Sequence, residues 1–411
     1  MTAHATYIVW SDSERRILAR VARWLAFGSA VTILVSIAAS QTLLALALAA
    51  LLLSGEPLRL PHIRLPLALF LLGTLLALLF SGEISAGLPQ LRKMYVFLEL
   101  LVVFSCVRDM GFIRALFLGW AGFAAIGAIR GTIQFFQKVR HADDYQSYVG
   151  ERITGFMSHW NTFSAAEMFA LILLASFLLF SPAARKRTWL WVLCGVLMAM
   201  AVLLAETRAV WIGTAIALLY LLWNWKRWMV LLVPLAAAIA FLVSPGVIRA
   251  RFTSFYRPQD VDSNKFRIVT WRTGVQMIEA HPFLGIGPEG PNRHFQDWIP
   301  ADISRPLPEG WYGHLHNVYL QYAAERGIPT LLILLWMMGM MLYDFTRSLH
   351  ALPRGRGDPR FLLHAGVAVI LATLAEGFFE YNLGDSEVLT MFLVVVACAY
   401  LAREKDVAAA A

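Results

Sequence analysis

The sequence predicts an all-α polytopic membrane protein of about 12 transmembrane helices, with one large, partly helical loop outside the membrane. Three observations carry this. First, 59% of the 411 residues are hydrophobic and only 15% are charged, whereas a soluble chain carries charge on about a quarter of its residues. Second, apolar runs able to cross a bilayer, which takes about 20 residues and sometimes fewer, recur along the whole chain. Third, Lys and Arg alternate in density from one connection to the next, as the positive-inside rule requires of a multi-pass protein.

Taken in order, the chain shows no cleavable signal pattern. Ser11-Asp-Ser-Glu14 fits a capping box, which opens a helix by pairing both ends of its first turn. The amphipathic segment that follows, through Arg23, sets Ile17, Leu18, Val21 and Leu25 on one side and is expected to lie on the cytoplasmic surface. Spans are predicted near 24–39, 41–54, 65–81, 94–107, 112–136, 160–181, 188–205, 209–224, 228–243, 328–346, 361–379 and 387–402, with a turn or kink at Ser40-Gln41. The whole chain, 1–411, reads as a single integral membrane domain, and residues 244–327 as a loop before the tenth span. Within that loop Ser263–Ala280 has Phe266, Val269, Val275 and Ile278 at helical spacing. The turn-rich stretch His281-Pro-Phe-Leu-Gly-Ile-Gly287-Pro-Glu-Gly290 stops that helix as a hinge.

With the N-terminus inside, the inner connections hold 19 of the 35 basic residues, while the short outer loops hold 6: Arg92, Lys93, Lys138, Arg140, Arg152 and Arg208. Both termini are therefore expected in the cytoplasm. The net charge of +8 is largely this topology signal, so no nucleic-acid partner follows from it. Cys106, Cys194 and Cys398 lie far apart in apolar runs and read as packing residues, without a disulfide or zinc framework.

Chemistry is expected where the largest polar segment ends, at His314-Leu-His316-Asn317, followed by Gly327-Ile-Pro329-Thr330. The eleven residues from His316 to Gly327 make about three helical turns, which puts both on one face. Gly327 then Pro329 reads as a helix stop and the first turn of the next helix. On these residues alone, His314 and His316 are equally well a pair of solvated loop histidines. Arg208 stands between two apolar runs, where an arginine costs roughly 2.5–3.5 kcal/mol. An ion pair with Glu206, a snorkelling side chain and a functional role all remain open for it. Arg267 and Arg272 diverge by about 140° around a helix, so at most one faces any given site. Arg152 and His159 flank the start of the sixth span, Asp385 lies in a short outer turn, and Arg130 is embedded in the fifth span.

Several outer arginines beside a histidine suit a lipid-linked diphosphate. Guanidinium grips phosphate oxygens in bidentate fashion and keeps its charge; imidazole takes a proton from a sugar hydroxyl near neutral pH. Other chemistries have less support. Gly285-Ile-Gly287 lacks the Gly-Lys-Ser/Thr ending of a phosphate loop. No Cys cluster or His-Glu-x-x-His motif accompanies His314 and His316, so no metal is expected. No Gly-x-Ser-x-Gly elbow is present. Glu99, Glu167, Glu376 and Glu380 would suit the proton path of a transporter, although no inverted halves are visible.

His316-Asn317, nine residues, then Gly327-Ile-Pro-Thr330 resembles the His-(Asn/Ser/Gln)-x9-Gly-x-x-(Gly/Thr/Tyr) signature of bacterial O-antigen ligases, membrane enzymes that complete lipopolysaccharide. Thr207-Arg208-Ala209 is similar to the Ser-Arg-Gly/Ala element of the ligase and polymerase superfamily, with Thr in place of the usual Ser. Arg267-x3-Trp271 followed by the 281–287 hinge resembles that superfamily's arginine helix and Pro-x-x-Gly-x-Gly turn. The resemblance implies an inner-membrane enzyme whose large loop and active site face the periplasm. It implies an inverting glycosyltransferase that moves O-antigen polysaccharide from undecaprenyl diphosphate to the lipid A-core acceptor, using neither metal nor other cofactor. It makes His316 the candidate general base and Arg208 and Arg267 the candidate diphosphate ligands. Asp385, Asn317, His314, Arg272 and Arg152 are further candidates for contact with the substrates. An O-antigen polymerase or a protein O-oligosaccharyltransferase is the alternative within the superfamily, and a transporter the alternative outside it.

Overall fold

The computed structural model describes residues 11–141, 152–185, 187–253, 262–352 and 357–410. Among them every regular element is helical. The elements used below are α1 (Asp12–Thr32), α2 (Ile37–Ser54), α3 (Arg64–Phe80), α4 (Ile84–Met94), α5 (Leu98–Cys106), α6 (Met110–His141), α7 (Trp160–Phe180), α8 (Thr188–Leu204) and α9 (Arg208–Trp225). They continue with α10 (Leu232–Val243), α11 (Gly246–Thr253), α12 (Asp262–Ala280), α13 (Gly290–His294), α14 (Val318–Ala351), α15 (Asp358–Glu376) and α16 (Ser386–Ala410).

The protein is a helical membrane protein. Helix lies over each predicted apolar run, but among the described residues only six helices are long and apolar enough to cross a bilayer: α2, most of α6, α7, α14, α15 and the greater part of α16. Three shorter apolar helices lie at Arg64–Phe80, Thr188–Leu204 and Arg227–Val243. Length and composition therefore do not reach the count of twelve spans. The causes are local. The amphipathic start and the first predicted span form one helix, α1, opened by the expected box in which Ser11 and Glu14 bond each other's backbone. The chain breaks at residues 33–36, earlier than the expected Ser40-Gln41, because the Ser36 side chain caps α2 by accepting from the Ala39 amide. Ser40 is instead buried, its carbonyl accepting from the Ser29 hydroxyl. The 94–107 run is divided by a 3-10 turn at Tyr95–Phe97 between α4 and α5.

The centre of the bundle is read from burial. Most of α7 and α16 is enclosed (83% and 89% of their apolar windows), against 33% for α2. Leu46, Leu52, Leu72, Leu79 and Leu235 are exposed on the outer helices, the arrangement expected where lipid tails take the place of water. The three central helices α7, α15 and α16 carry the turns that border the site. The 244–327 segment is partly helical: α11, α12 and α13 lie in it, and α12 runs alongside α14.

Candidate active site

The site begins where α14 begins. Asn317 caps that helix, its side-chain oxygen accepting from the Leu320 amide at 3.0 Å. Its amide nitrogen donates to the Phe378 carbonyl at 3.0 Å, and the Val318 amide donates to the Gly377 carbonyl at 2.7 Å. The mouth of α14 is thus fastened to the end of α15. His316 immediately precedes the cap with φ +48°, a left-handed conformation that His adopts more readily than most residues. The backbone amide of His316 donates to His314 Nδ1 at 3.1 Å, and the two rings lie 3.9 Å apart. Burial, helped by the nearness of the His316 imidazole, lowers the His314 pKa to about 3. His314 therefore stays neutral and serves as an acceptor that fixes the turn carrying His316.

His316 projects toward Glu380, with Nδ1 3.2 Å from Oε2. A carboxylate can only accept here, so Nδ1 carries the proton and Nε2 is the basic nitrogen. The Trp311 carbonyl lies 3.5 Å from Nε2, too far to compete with the carboxylate. Phe266 stands edge-on to the imidazole at 5.0 Å and closes one side.

Glu380 is 5% exposed and gathers three partners. Besides His316, Arg267 Nη2 donates to Oε1 at 2.6 Å and Asn161 Nδ2 to Oε2 at 3.0 Å. Burial pushes the Glu380 carboxyl up, but the His316 hydrogen bond and the Arg267 guanidinium outweigh it and hold the group well below the usual carboxylate range. The Nε of Arg267 is buried and has no hydrogen-bond partner among the described residues.

Arg208 is the first residue of α9 and is 8% exposed. No ion pair joins it to Glu206; its Nη2 donates to Asn264 on α12 at 2.7 Å. Asn264 and Arg267 are three residues apart, hence on one helical face, so α12 brings the two arginines to a common side. Arg272 points elsewhere, donating to both oxygens of exposed Asp302 at 2.8 and 2.9 Å. This is the divergence expected from its spacing.

The turn before Arg208 is tied to the same network. Thr207 Oγ1 lies 3.1 Å from the Ser164 hydroxyl, which donates to it, and 3.4 Å from Asn161 Oδ1. A chain of hydroxyl and amide groups therefore runs from Thr207 through Asn161 to Glu380 and His316, which gives the Thr207 hydroxyl a definite place. Arg152 Nη1 and Arg251 Nε donate to the Glu206 carbonyl at 3.3 and 3.0 Å, and Arg152 also lies 4.5 Å over the Trp160 ring. Among the described residues both carboxylate oxygens of Glu206 lack hydrogen-bond partners, and burial raises the group to about 7 against the opposing charges of Arg251 and Arg152. Asp385 accepts from Thr162 Oγ1 at 2.7 Å. Burial raises its pKa, while that bond and the charge of Lys93 oppose the rise. Arg130 is exposed on α6, 4.7 Å over the Phe156 ring.

Sequence reasoning missed the role of Glu380, which it grouped with the membrane glutamates, and the part of Asn161 and Thr162. The available signal was their polarity at the ends of apolar runs, and Glu380 is 64 residues from its histidine.

Gly327 explains why the site holds its shape. The hinge 282–287 and the residues around Gly327 exchange backbone hydrogen bonds: Ile286 to the Ala324 carbonyl (2.8 Å), Gly287 to Glu325 (3.1 Å) and Ile328 to Pro282 (2.8 Å). Gly327 has φ +80° and ψ 162°, and a Cβ there would lie 2.0 Å from the Phe283 carbonyl oxygen. Thr330, the last residue of the signature, fits against Gly73 of α3, where a Cβ would lie 2.5 Å from its hydroxyl.

Comparison with curated proteins gives no match. The family model described as O-Antigen ligase matches residues 193–335. That stretch runs from α8 through the 244–327 segment into α14 and includes Arg208, Arg267 and His316, but not Glu380 or Asp385. Over this segment, about a third of its length, the chain is similar to the O-antigen ligase family.

Proposed function

We propose that the protein is the glycosyltransferase that attaches O-antigen polysaccharide to lipid A-core, taking it from undecaprenyl diphosphate on the periplasmic side of the inner membrane. The observation that carries this reading is the His316–Glu380–Arg267 cluster, in which one buried carboxylate holds both a base and a phosphate-type ligand. In the proposed step, His316 Nε2 takes the proton from an acceptor hydroxyl as its oxygen attacks the anomeric carbon. The bond from that carbon to the diphosphate breaks on the opposite face, so the configuration inverts. Arg267 and Arg208 take up the charge on the departing diphosphate, which leaves on its lipid without needing a metal or nucleotide. Glu380 keeps imidazole in the right tautomer and stabilises the imidazolium that forms, as a carboxylate does for a catalytic histidine in other enzymes. Asp385 and Asn317 are the side chains proposed to border the acceptor, while Arg152 supports the turn before Arg208.

The topology proposed with this function has twelve spans, both termini in the cytoplasm and 244–327 as the periplasmic loop. The acceptor is tested by the lipopolysaccharide gel profile of a deletion strain. Long O-antigen chains made but left off lipid A are the expected result. Lipopolysaccharide carrying a single repeat would instead indicate a polymerase, and a normal profile would refute both.

A further inference from the structure

The turn that carries His316 is held from two directions, and only one of them enters the proposed step. In front, Glu380 meets the imidazole. Behind, the backbone amide of Leu315, between the two histidines, donates to Gln321 Oε1 at 2.8 Å. Gln321 stands one turn beyond the Asn317 cap, so its side chain folds back over the mouth of α14. It is 2% exposed. An amide buried this far gains nothing over an apolar side chain as a filler, so its value lies in the bonds it makes.

Both ends of that amide are engaged, and the partners fix which end is which. The Leu315 N–H can only donate, so the oxygen faces it, and the nitrogen donates to Glu325 Oε1 at 2.9 Å. Glu325, the next turn along α14, is itself buried, and the same oxygen accepts from the Glu289 amide at 3.3 Å. The Glu289 carboxylate in turn accepts from Gln90 of α4 at 2.6 Å. The Leu315 side chain is fixed as well. It packs in a small core with Val269 and Met277 of α12, where Gly274 leaves it room: a Cβ there would lie 2.7 Å from Leu315 Cδ1. Hydrogen bonds therefore run from α4 and the 281–290 stretch through α14 to the residue between His314 and His316. His316 has φ +48°, a conformation that persists where the surroundings enforce it.

Resting on the function proposed above, we propose that Gln321 is the positioning residue of the general base: it clamps the Leu315 amide, so that His316 Nε2 stays aimed at the acceptor hydroxyl. Glu325 anchors the clamp. The test measures transfer of labelled glycan from undecaprenyl diphosphate to lipid A-core by the full-length protein in detergent, together with the donor bound per chain. Gln321→Met keeps the length of the side chain and removes both bonds. Its kcat should fall about ten- to a hundredfold, the order of loss that a displacement of about 1 Å produces, while KM for both substrates stays within about twofold of wild type. Donor bound per chain should stay at the wild-type value. That quantity counts intact sites, so lost folded protein would show there rather than pass for slower chemistry. The exchanged pair, Gln321→Glu with Glu325→Gln, lets a carboxylate accept from Leu315 and from an amide at 325, and should regain most of kcat. If Gln321→Met does not fold, Gln321→Asn, one methylene too short to bridge Leu315 and Glu325, carries the same expectation. Three results would overturn the proposal: unchanged kcat in folded Gln321→Met, a rise in KM that accounts for the whole loss, or an exchanged pair that folds without regaining rate. Wild type that transfers no glycan would refute the ligase reading and this proposal with it, whereas transfer that Gln321→Met leaves intact would refute the proposal alone.

Discussion

Replacing Glu380 with Gln should lower turnover by a factor of about 10² to 10⁴, with little change in the amount of folded protein. The lower bound is the usual worth of general base catalysis, and the upper is what an amide in place of a histidine-orienting carboxylate costs elsewhere. The side chain is isosteric and its oxygen still accepts from one donor, so Asn161 and the surrounding helices stay in place. The charge is what disappears. Nδ1 of His316 loses its anionic acceptor at 3.2 Å, and Arg267 loses the carboxylate at 2.6 Å. A Gln amide can also turn its NH2 toward imidazole and select the wrong tautomer. Glu380→Asp keeps the charge but shortens the reach, so it should fall between wild type and Gln. Steady-state kinetics on purified protein, with size-exclusion profiles as the folding control, make the comparison. Glu380→Gln keeping more than a tenth of wild-type turnover would remove this residue from the mechanism.

The second large effect is on structure. Gly327→Ala should cost about 3 kcal/mol or more, because φ +80° with ψ 162° lies in a region that only glycine enters readily. The new methyl would also stand 2.0 Å from the Phe283 carbonyl oxygen. Relief requires separating the strand-like contact in which Ile328 donates to Pro282, and that contact holds the 281–287 hinge against the start of the long part of α14. Gly339, on the same helix, is the control: a Cβ there meets nothing within 4 Å, so Gly339→Ala should be neutral or slightly stabilising. Thermal unfolding in detergent reads both. Equal melting temperatures for the two variants would contradict the role given to Gly327.

Much of this was legible in the sequence because it follows from local chemistry. The Ser11 box, the α12 helix and its hinge, the Asn317 start and the Gly327-Pro329 joint are all set by residues within a turn or two of each other. The opposite directions of Arg267 and Arg272 follow from helical geometry alone. Span number was less legible, since an apolar run does not reveal where a serine such as Ser36 will cap a new helix or where a 3-10 turn will divide a span. The partner of His316 was not legible. Glu380 reaches it across the turn between α15 and α16, and nothing in a buried glutamate's own neighbourhood distinguishes a histidine partner from a membrane proton site. The place of Thr207 was hidden for the same reason: its contacts, Asn161 and Ser164, are more than forty residues away in sequence.

The central claim is that His316 drives glycan transfer from a lipid diphosphate. The most direct measurement gives purified protein a radiolabelled polysaccharide on undecaprenyl diphosphate together with lipid A-core, in detergent, with chelator present and no nucleotide. Wild type should transfer label to the acceptor and release one undecaprenyl diphosphate per chain moved, and His316→Ala should bind donor but transfer nothing measurable. Absence of transfer by wild type, or undiminished transfer by His316→Ala, would contradict the account.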